Sequence, residues 1–564
     1  MTPEVALPLP PALGLIALGL LLPLIPRPAR PLWLVGGPAL VLGWVWLIPE
    51  GSHLALPFLG HVLEPLRATD LTRVFATVFS LMALVGNLFA LRQKSTWELA
   101  AANVYAGGAI GVTFAGDLIS LFVFWEVMAV ASATVIWSAA RPAAYRAGLR
   151  YLQVHLLGGV ILMAGIIGHI MDTGSIAFTA MQPETVATWL ILIGVLINAG
   201  APPLTAWLPD AYPEASFSGT VFLSAFTTKT AVYVLIAGFP GTQILIWVGM
   251  YMVFYGIIYA LLENDMRRIL AYSIINQVGF MVCGVGIGTE MALNGAASHA
   301  FTHIIYKALL LMSAGSVFYM TGRTKCTELG GLFRSMPLTC TAGIIGALAI
   351  SSFPLTSGFI SKSMIAQGAA DQHMAWVWMG LEAASAGVFL HAGIKFPWFV
   401  FFQKDRGLRP KDPPLNMKVA MVIFSAFCLG LGLFPQPLYA ILPFPVDYVP
   451  YTTAHVVKQL QLLLFAGLAF FVLLPLMKRT ETLSLDWDWL YRRPGPWLAG
   501  RALALIGALY DSLTGAGRHL LARLFTTLER GHGPTGTLAR TWRVGNAAVA
   551  VMVLLCLYLA IYYR

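Results

Sequence analysis

An all-α polytopic membrane fold of about 14–16 transmembrane helices follows from three features of this sequence. Of its 564 residues, 58% are hydrophobic and only 11% are Asp, Glu, Lys or Arg. A soluble domain carries roughly 25% charged residues, so 35 basic and 25 acidic side chains cannot clothe a soluble body of this size. The mean hydropathy is +0.76, and apolar runs of span length recur along nearly the whole chain. Soluble-enzyme classes are excluded.

The runs fall near 8–26, 31–49, 71–91, 98–116, 118–138, 150–171, 186–207, 216–238, 241–262 and 271–288. They continue at 294–320, 338–361, 376–402, 416–440, 459–477 and 545–563. At about 20 apolar residues per span they predict some sixteen crossings. Pro203-Leu-Thr205 interrupts the seventh run and Pro354-Leu-Thr356 the twelfth. Proline frees backbone carbonyls, which is tolerated inside a membrane where polar groups or water satisfy them. An offset of five spans turns the second copy upside-down relative to the first, the pattern of inverted repeats. The resulting organisation is helices 1–3 in residues 1–97, a first five-helix repeat (helices 4–8) in 98–240, and a second (helices 9–13) in 241–402. Helices 14–15 occupy 403–480, a lateral-helix region 481–544, and the last span 545–564.

That lateral region, from about Trp497 to Arg530, sets Leu503, Ile506, Leu509, Leu513, Leu520, Leu524 and Leu528 at helical spacing. Arg501, Asp511, Arg518, Arg523, Glu529 and Arg530 interrupt it, so it reads as an amphipathic helix on the cytoplasmic surface. It either adheres to the membrane surface or braces neighbouring helices or a partner subunit. Loop charge sets orientation. Arg92 and Lys94, Arg141, Arg146 and Arg150, Arg267 and Arg268, and the Lys404–Lys418 group follow odd-numbered runs. Few bases beyond Arg67, Arg73 and Lys458 follow even ones. The positive-inside rule then makes the odd loops cytoplasmic and places both termini outside. The net charge of +10 is a topology signal and calls for no nucleic-acid partner.

Other chemistries leave no trace. The five cysteines are scattered without a CxxC pair, and no phosphate-cradling glycine loop is present. Gly284-Val-Gly-Ile-Gly288 lies in an apolar run and reads as helix packing. The start of the chain lacks a cleavable signal, so the first span is expected to remain. No cofactor, no metal and no catalytic residue is expected, and no oxygen cluster suggests a sodium site.

The chemistry rests on ionisable side chains inside spans, each costing at least about 2.5–3.5 kcal/mol at the bilayer centre. Glu126 lies nine residues past Asp117, near mid-depth, and Lys229 is similarly central to the eighth run. His299, His303 and Lys307 recur every four residues, on one helix stripe. Lys362 follows the Pro354 break, and His391 with Lys395 forms another i, i+4 pair. Lys395 lies near a span end, where snorkelling accounts for it as well. A lone intramembrane histidine is often a packing residue, and His155 is read that way. The series as a whole alternates Glu, Lys and His across many spans, which suits a path for protons or cations.

These motifs resemble the antiporter-like subunits shared by Mrp-type cation/proton antiporters and respiratory complex I. The resemblance is carried by Leu121-Phe-Val-Phe-Trp-Glu126, Trp207-Leu-Pro-Asp210-Ala-Tyr-Pro-Glu214-Ala and Asp265-Met-Arg-Arg-Ile-Leu-Ala-Tyr-Ser273. His303-Ile-Ile-Tyr-Lys307-Ala-Leu-Leu and Phe353-Pro-Leu-Thr-Ser-Gly-Phe-Ile-Ser-Lys362 complete it, in family order across roughly 70–440. It implies a fourteen-helix core with inverted five-helix repeats, broken seventh and twelfth helices, and proton transfer along a hydrated axis of charged residues. By position, Glu126 resembles the fifth-helix glutamate, Lys229 the eighth-helix lysine and Lys362 the twelfth-helix lysine of the exit half-channel. His299, His303 and Lys307 resemble the stripe that continues the axis.

One position departs. The family's seventh-helix lysine, ten residues before the Leu-Pro-Asp motif, falls on Asn198. An amide cannot hold a charge or pair with Glu126, so the usual Glu–Lys switch is broken. Either Lys229 takes over as the mobile charge or this half-channel is inactive. The tail, Leu485-Asp-Trp-Asp-Trp-Leu-Tyr491 and then Arg540-Thr-Trp-Arg543, resembles that of complex I's distal antiporter-like subunit, whereas the overall match resembles the D-type subunits of Mrp complexes.

The leading expectation is thus a non-enzymatic, ion-translocating subunit of a multisubunit Na+/proton antiporter in the cell's inner (plasma) membrane. Its partners would be other membrane subunits, H+, Na+ and the bilayer. The alternatives are a proton-pumping subunit of a redox-driven complex, of NADH-quinone oxidoreductase or membrane-bound hydrogenase type, and the membrane partner of an inorganic carbon uptake system.

Overall fold

The computed structural model describes residues 9–476 and 485–563. The expected placement of the two chain ends and the division at 480/481 lie outside the described residues. The chain forms two compact units, Met1–Asp488 and Trp489–Arg564.

The first unit begins with α1 (Pro11–Leu21) and α2 (Arg30–Leu47), followed by a hairpin of β1 (Gly51–Phe58) and β2 (His61–Ala68). Both residues of the hairpin turn, Leu59 and Gly60, have positive φ (45° and 83°), the twist that joins antiparallel strands tightly. Then come α3 (Asp70–Phe89), α4 (Thr96–Phe114), α5 (Leu118–Trp137) and α6 (Pro142–Thr173). Asp117 ties the hairpin down, accepting from the Glu64 amide at 2.8 Å while it caps α5 through the Ser120 amide at 2.7 Å. Thr69 and Ser95 cap α3 and α4 through side-chain oxygens, and Gly174 ends α6 in the left-handed conformation.

The seventh run divides into α7 (Val186–Ala199) and the short α8 (Trp207–Ala211), with a cis Pro202–Pro203 bond between them. The eighth also divides, into α9 (Gly219–Leu223) and α10 (Thr227–Gly238), without any proline at the joint. The centre of the unit is α11 (Ile244–Leu262), α12 (Met266–Ile287) and α13 (Glu290–Thr321). The twelfth run divides into α14 (Pro337–Ile350) and α15 (Ser357–Asp371). Next, α16 (Ala375–Val388) continues as π-helical turns over Phe389–Lys395 and Trp398–Phe402. The unit closes with α17 (Leu415–Leu433), the single turn α18 (Gln436–Tyr439) and α19 (Thr453–Val472). After α20 (Asp488–Arg492), the second unit holds α21 (Pro494–His532) and α22 (Val544–Tyr562).

The fold is therefore all-α and polytopic, with one small hairpin among the described residues. Twelve helices among the described residues are long and apolar enough to cross a membrane, fewer than the fourteen to sixteen expected. The difference has a physical reason. Pro11–Leu24, Val186–Ala199 and Pro337–Ile350 are apolar but too short, two of them because the chain breaks inside the run. The helix Thr96–Phe114 is long enough, but it is rich in Ala and Gly and carries Glu98 and Asn103.

Small residues set the packing at the centre. On α11, a Cβ at Gly249 would fall 2.5 Å from the Cys283 amide nitrogen, and one at Gly256 would fall 2.7 Å from that of Asn276. Such approach of backbones is how helices associate where no water drives them together. Every residue of the apolar window of α12 is buried, and α10, α13 and α15 pack around it. That enclosure holds the polar groups described next.

Candidate functional site

Lys229 stands in the first turn of α10 and is fully buried. Its Nζ donates to the Ser224 carbonyl at 2.7 Å and to Thr228 Oγ1 at 3.0 Å. Ser224 is the residue at which α9 ends, so the ammonium satisfies a carbonyl that the broken helix leaves over. Lys362 repeats the device. From α15 its Nζ reaches back to the carbonyl of Ile350, the last residue of α14, at 2.7 Å, and lies 4.9 Å over the Phe280 ring. Cations are favoured at the negative ends of helix dipoles, and here each break supplies one.

Between the two lysines runs the α13 stripe. His299 Nδ1 meets Ser361 Oγ at 2.9 Å, and Nε2 meets Gln277 Oε1 at 3.2 Å. Tyr306 also donates to Gln277 Oε1, at 3.0 Å. Four residues beyond His299, His303 is fully buried and neither ring nitrogen has a hydrogen-bond partner among the described residues; the Nζ of Lys307 is equally buried and likewise has none among them. The His299 and His303 ring centres are 6.1 Å apart, and Tyr306 lies edge-on to His303 at 5.2 Å. Lys229, Lys307 and Lys362 all lie within electrostatic reach of His303. Buried polar groups are nearly always bonded, so three nitrogens without a hydrogen-bond partner among the described residues set this stripe apart from the bonded groups around it. Such an arrangement can hold protons and hand them on.

Glu126 and Asn198 form a separate pair of sites on either side of α6. Glu126 is half-buried, and its Oε1 occupies the space that a Cβ on Gly159 would need; the oxygen has no hydrogen-bond partner among the described residues. Asn198 Oδ1 lies 3.7 Å from the corresponding point on Gly158 and is likewise unbonded. The double glycine thus lets a carboxyl and an amide approach the same turn of α6.

Lys395 occupies a different setting. Its Nζ donates to the carbonyls of Ala260 (3.1 Å), Leu261 (2.5 Å) and Glu263 (2.6 Å), which close the C-terminal end of α11. His391 Nδ1 bonds the Gly387 carbonyl at 2.9 Å within its own helix, and Nε2 has no partner among the described residues. His155 does the same with Tyr151, at 2.8 Å, its ring stacked on Tyr151 and edge-on to Trp207.

Several polar centres escape sequence reasoning. Glu98 is fully buried in α4, and its Oε1 accepts from Ser216 at 2.7 Å and Ser218 at 2.5 Å. Arg267 is also buried; it donates to the carbonyls of Ala215 (2.8 Å) and Ser216 (2.7 Å) and stacks 5.0 Å over Phe318. Arg150 grips Asp210 through two bonds of 2.7 and 2.9 Å. These arginines clamp the 207–220 segment that leads into the α9–α10 break. Asp210 is visible in its motif, but its partner sixty residues away is not. Lys458 pairs with Glu382 at 2.5 Å, joining α19 to α16.

The family described as NADH:quinone oxidoreductase/Mrp antiporter, transmembrane, matches residues 115–388. A probable K(+)/H(+) antiporter component of Rhizobium meliloti, the A/B subunit, is 28% identical over 356 residues, 59% of this chain and 36% of that protein. The D-type subunit of the Na(+)/H(+) antiporter of Alkalihalophilus pseudofirmus is 31% identical over 275 residues, 45% of this chain and 56% of that protein. For these two the match spans about a third and about half of the relative's length. The N-type subunit of the NADH-quinone oxidoreductase of Desulforudis audaxviator is 30% identical over 366 residues, 59% of this chain and 73% of that protein.

Two solved structures share the fold. One protein of the Mrp complex from Dietzia superposes with a TM-score of 0.68 at 22% identity, covering 83% of this chain and 99% of that one. One protein of the archaeal membrane-bound sulfane sulfur reductase, a respiratory membrane complex, gives 0.71 at 23% identity, covering 98% and 99%.

Proposed function

This chain belongs to the family of membrane subunits shared by NADH:quinone oxidoreductases and Mrp antiporters, and from that premise we propose that it moves protons as a subunit of a multisubunit monovalent cation/proton antiporter. Na+ is the cation the reading favours, and a D-type subunit of an Mrp complex the role. The observation that carries it is the α13 stripe: His303 and Lys307, fully buried and without a hydrogen-bond partner for His303's ring nitrogens or Lys307 Nζ among the described residues, between two lysines that each hold the loose end of a broken helix. Water-bridged groups of this kind pass protons by exchanging hydrogen bonds along the row. Lys229, His299, His303, Lys307 and Lys362 are the carriers. Glu126 delivers to them past Asn198, which relays through water because it holds no charge, and Lys395 stands at the margin. The basic odd-numbered loops put both termini outside the cell membrane.

The test uses the assembled complex in membrane vesicles from an antiporter-deficient host, with cation-driven proton movement followed by a pH-sensitive dye. Lys229→Gln is expected to slow transport by about a hundredfold, the scale of a lost proton-transfer group. Glu126→Gln is expected to slow it as well, and Asn198→Lys to change its pH profile. Full activity of Lys229→Gln overturns the reading.

A second reading is a proton-pumping subunit of a redox-driven complex. It is favoured by the likeness to the sulfane sulfur reductase protein, which extends over 98% of this chain, tail included. Purification of the native complex separates the two. Iron–sulfur and quinone-binding subunits bring the second forward, and small antiporter subunits the first.

A further inference from the structure

Lys362 does not end in closed packing. A cavity of about 30 Å³, room for one or two waters, is lined by Lys362 and Ser363 of α15, Glu382 of α16, and His455, Lys458 and Gln459 of α19, over the Phe280 ring. Lys362 is 4% exposed. Beyond it, the Glu382 side chain is 13% exposed and that of Lys458 is 38% exposed, the two joined at 2.5 Å. Exposure thus rises stepwise from the buried lysine to the ion pair. Glu382 lies seven residues into α16 and Lys458 five into α19, so both approach the membrane face at which α15 ends. Of the other polar groups here, Gln459 Nε2 bonds the Ser351 carbonyl at 3.2 Å and His455 Nδ1 the Pro450 carbonyl at 3.2 Å, while Ser352 Oγ, also on the lining, has no hydrogen-bond partner among the described residues. The Lys458 ammonium also lies 5.3 Å over the Trp378 ring, which holds it in place when its carboxylate partner is neutral.

The geometry points to Glu382 as the terminal proton carrier between Lys362 and the aqueous phase, with Lys458 as its counter-ion. The inference rests on the proposal that Lys362 carries a proton. Protonated Lys362 gives one proton through cavity water to the Glu382 carboxylate, leaving a neutral amine and a neutral acid. The Glu382–Lys458 attraction then lapses, and Lys458 turns to water and Trp378. Glu382 releases the proton to the aqueous phase and pairs with Lys458 again. One proton arrives and one leaves, with no other reactant.

An ion pair that merely brackets α16 to α19 is broken equally by Glu382→Gln and Lys458→Gln; a carrier is lost only in the first. In vesicles bearing the assembled complex, transport and its pH profile are measured for Lys362→Gln, Glu382→Gln, Glu382→Asp and Lys458→Gln, each normalised to assembled protein. With Lys362→Gln inactive, Glu382→Gln is expected to slow transport roughly a hundredfold. Lys458→Gln is expected to keep most of the rate with a displaced pH profile, and Glu382→Asp to transport with a displaced profile too. Normal transport by Glu382→Gln, equal losses in it and Lys458→Gln, or an undisplaced profile in Glu382→Asp overturns the inference while the parent proposal stands. Normal transport by Lys362→Gln overturns both.

Discussion

Lys229, Lys362 and Lys395 show that a buried lysine takes its character from what it touches. All three are donors to main-chain carbonyls at helix ends. Lys395 satisfies three at once, which leaves its ammonium little freedom to reach anything else. Its first consequence is therefore mechanical. Lys395→Ala leaves carbonyls at the end of α11 without a buried donor, and each such loss costs about 1–3 kcal/mol. Thermal unfolding of the detergent-solubilised chain is expected to fall by that order, with transport per folded molecule little changed. A variant as stable as the parent but unable to transport would instead put Lys395 on the path. His303 and Lys307 have no such anchors, and substitutions there should act on transport first.

The interrupted helices decide where those residues stand. At the α14–α15 joint, Gly358 lies so close to the end of α14 that a Cβ would collide with the Ala349 carbonyl oxygen. Gly358→Ala must push α15 away, an overpacking that costs about 1–3 kcal/mol. It should also pull Lys362 from the Ile350 carbonyl, so stability and transport are expected to fall together; an unaltered melting temperature would count against this seat. The sequence reveals two of the breaks, because proline inside an apolar run leaves few alternatives. It conceals the third, at Ser224–Phe226, where no proline marks the joint and arginines from remote segments hold the 207–220 stretch. The hairpin at 51–68 is hidden for a similar reason: its turn depends on Leu59 at positive φ, a conformation a β-carbon resists. The i, i+4 spacing makes the α13 stripe legible. It cannot show that His299 is bonded at both ring nitrogens and His303 at neither, since those partners come from α12 and α15.

At the scale of the whole molecule, the first unit ends in a firm fastening. Asp486 is buried against the tyrosines of α11 and α12, accepting from Tyr255 and, at 2.5 Å, from Tyr272. Tyr259 donates to the Leu485 carbonyl at 2.7 Å, and Trp487 Nε1 to Tyr251 at 2.7 Å. Hydrogen bonds to a carboxylate are about twice as strong as neutral ones, so Asp486→Asn is expected to loosen the segment while the helix core remains. Faster proteolytic cleavage next to residues 485–488 in the intact complex checks this; an unchanged rate would show that the tyrosines hold the segment without the charge. Past this point, α22 is long and apolar enough to cross a membrane. The paired breaks carry a last implication. A lysine that surrenders its proton still touches the carbonyl it held, but through a weaker, uncharged bond. On the proposed path, each passage of charge would slacken a joint in the backbone and tighten it again, making the conductor a latch whose grip follows its own current.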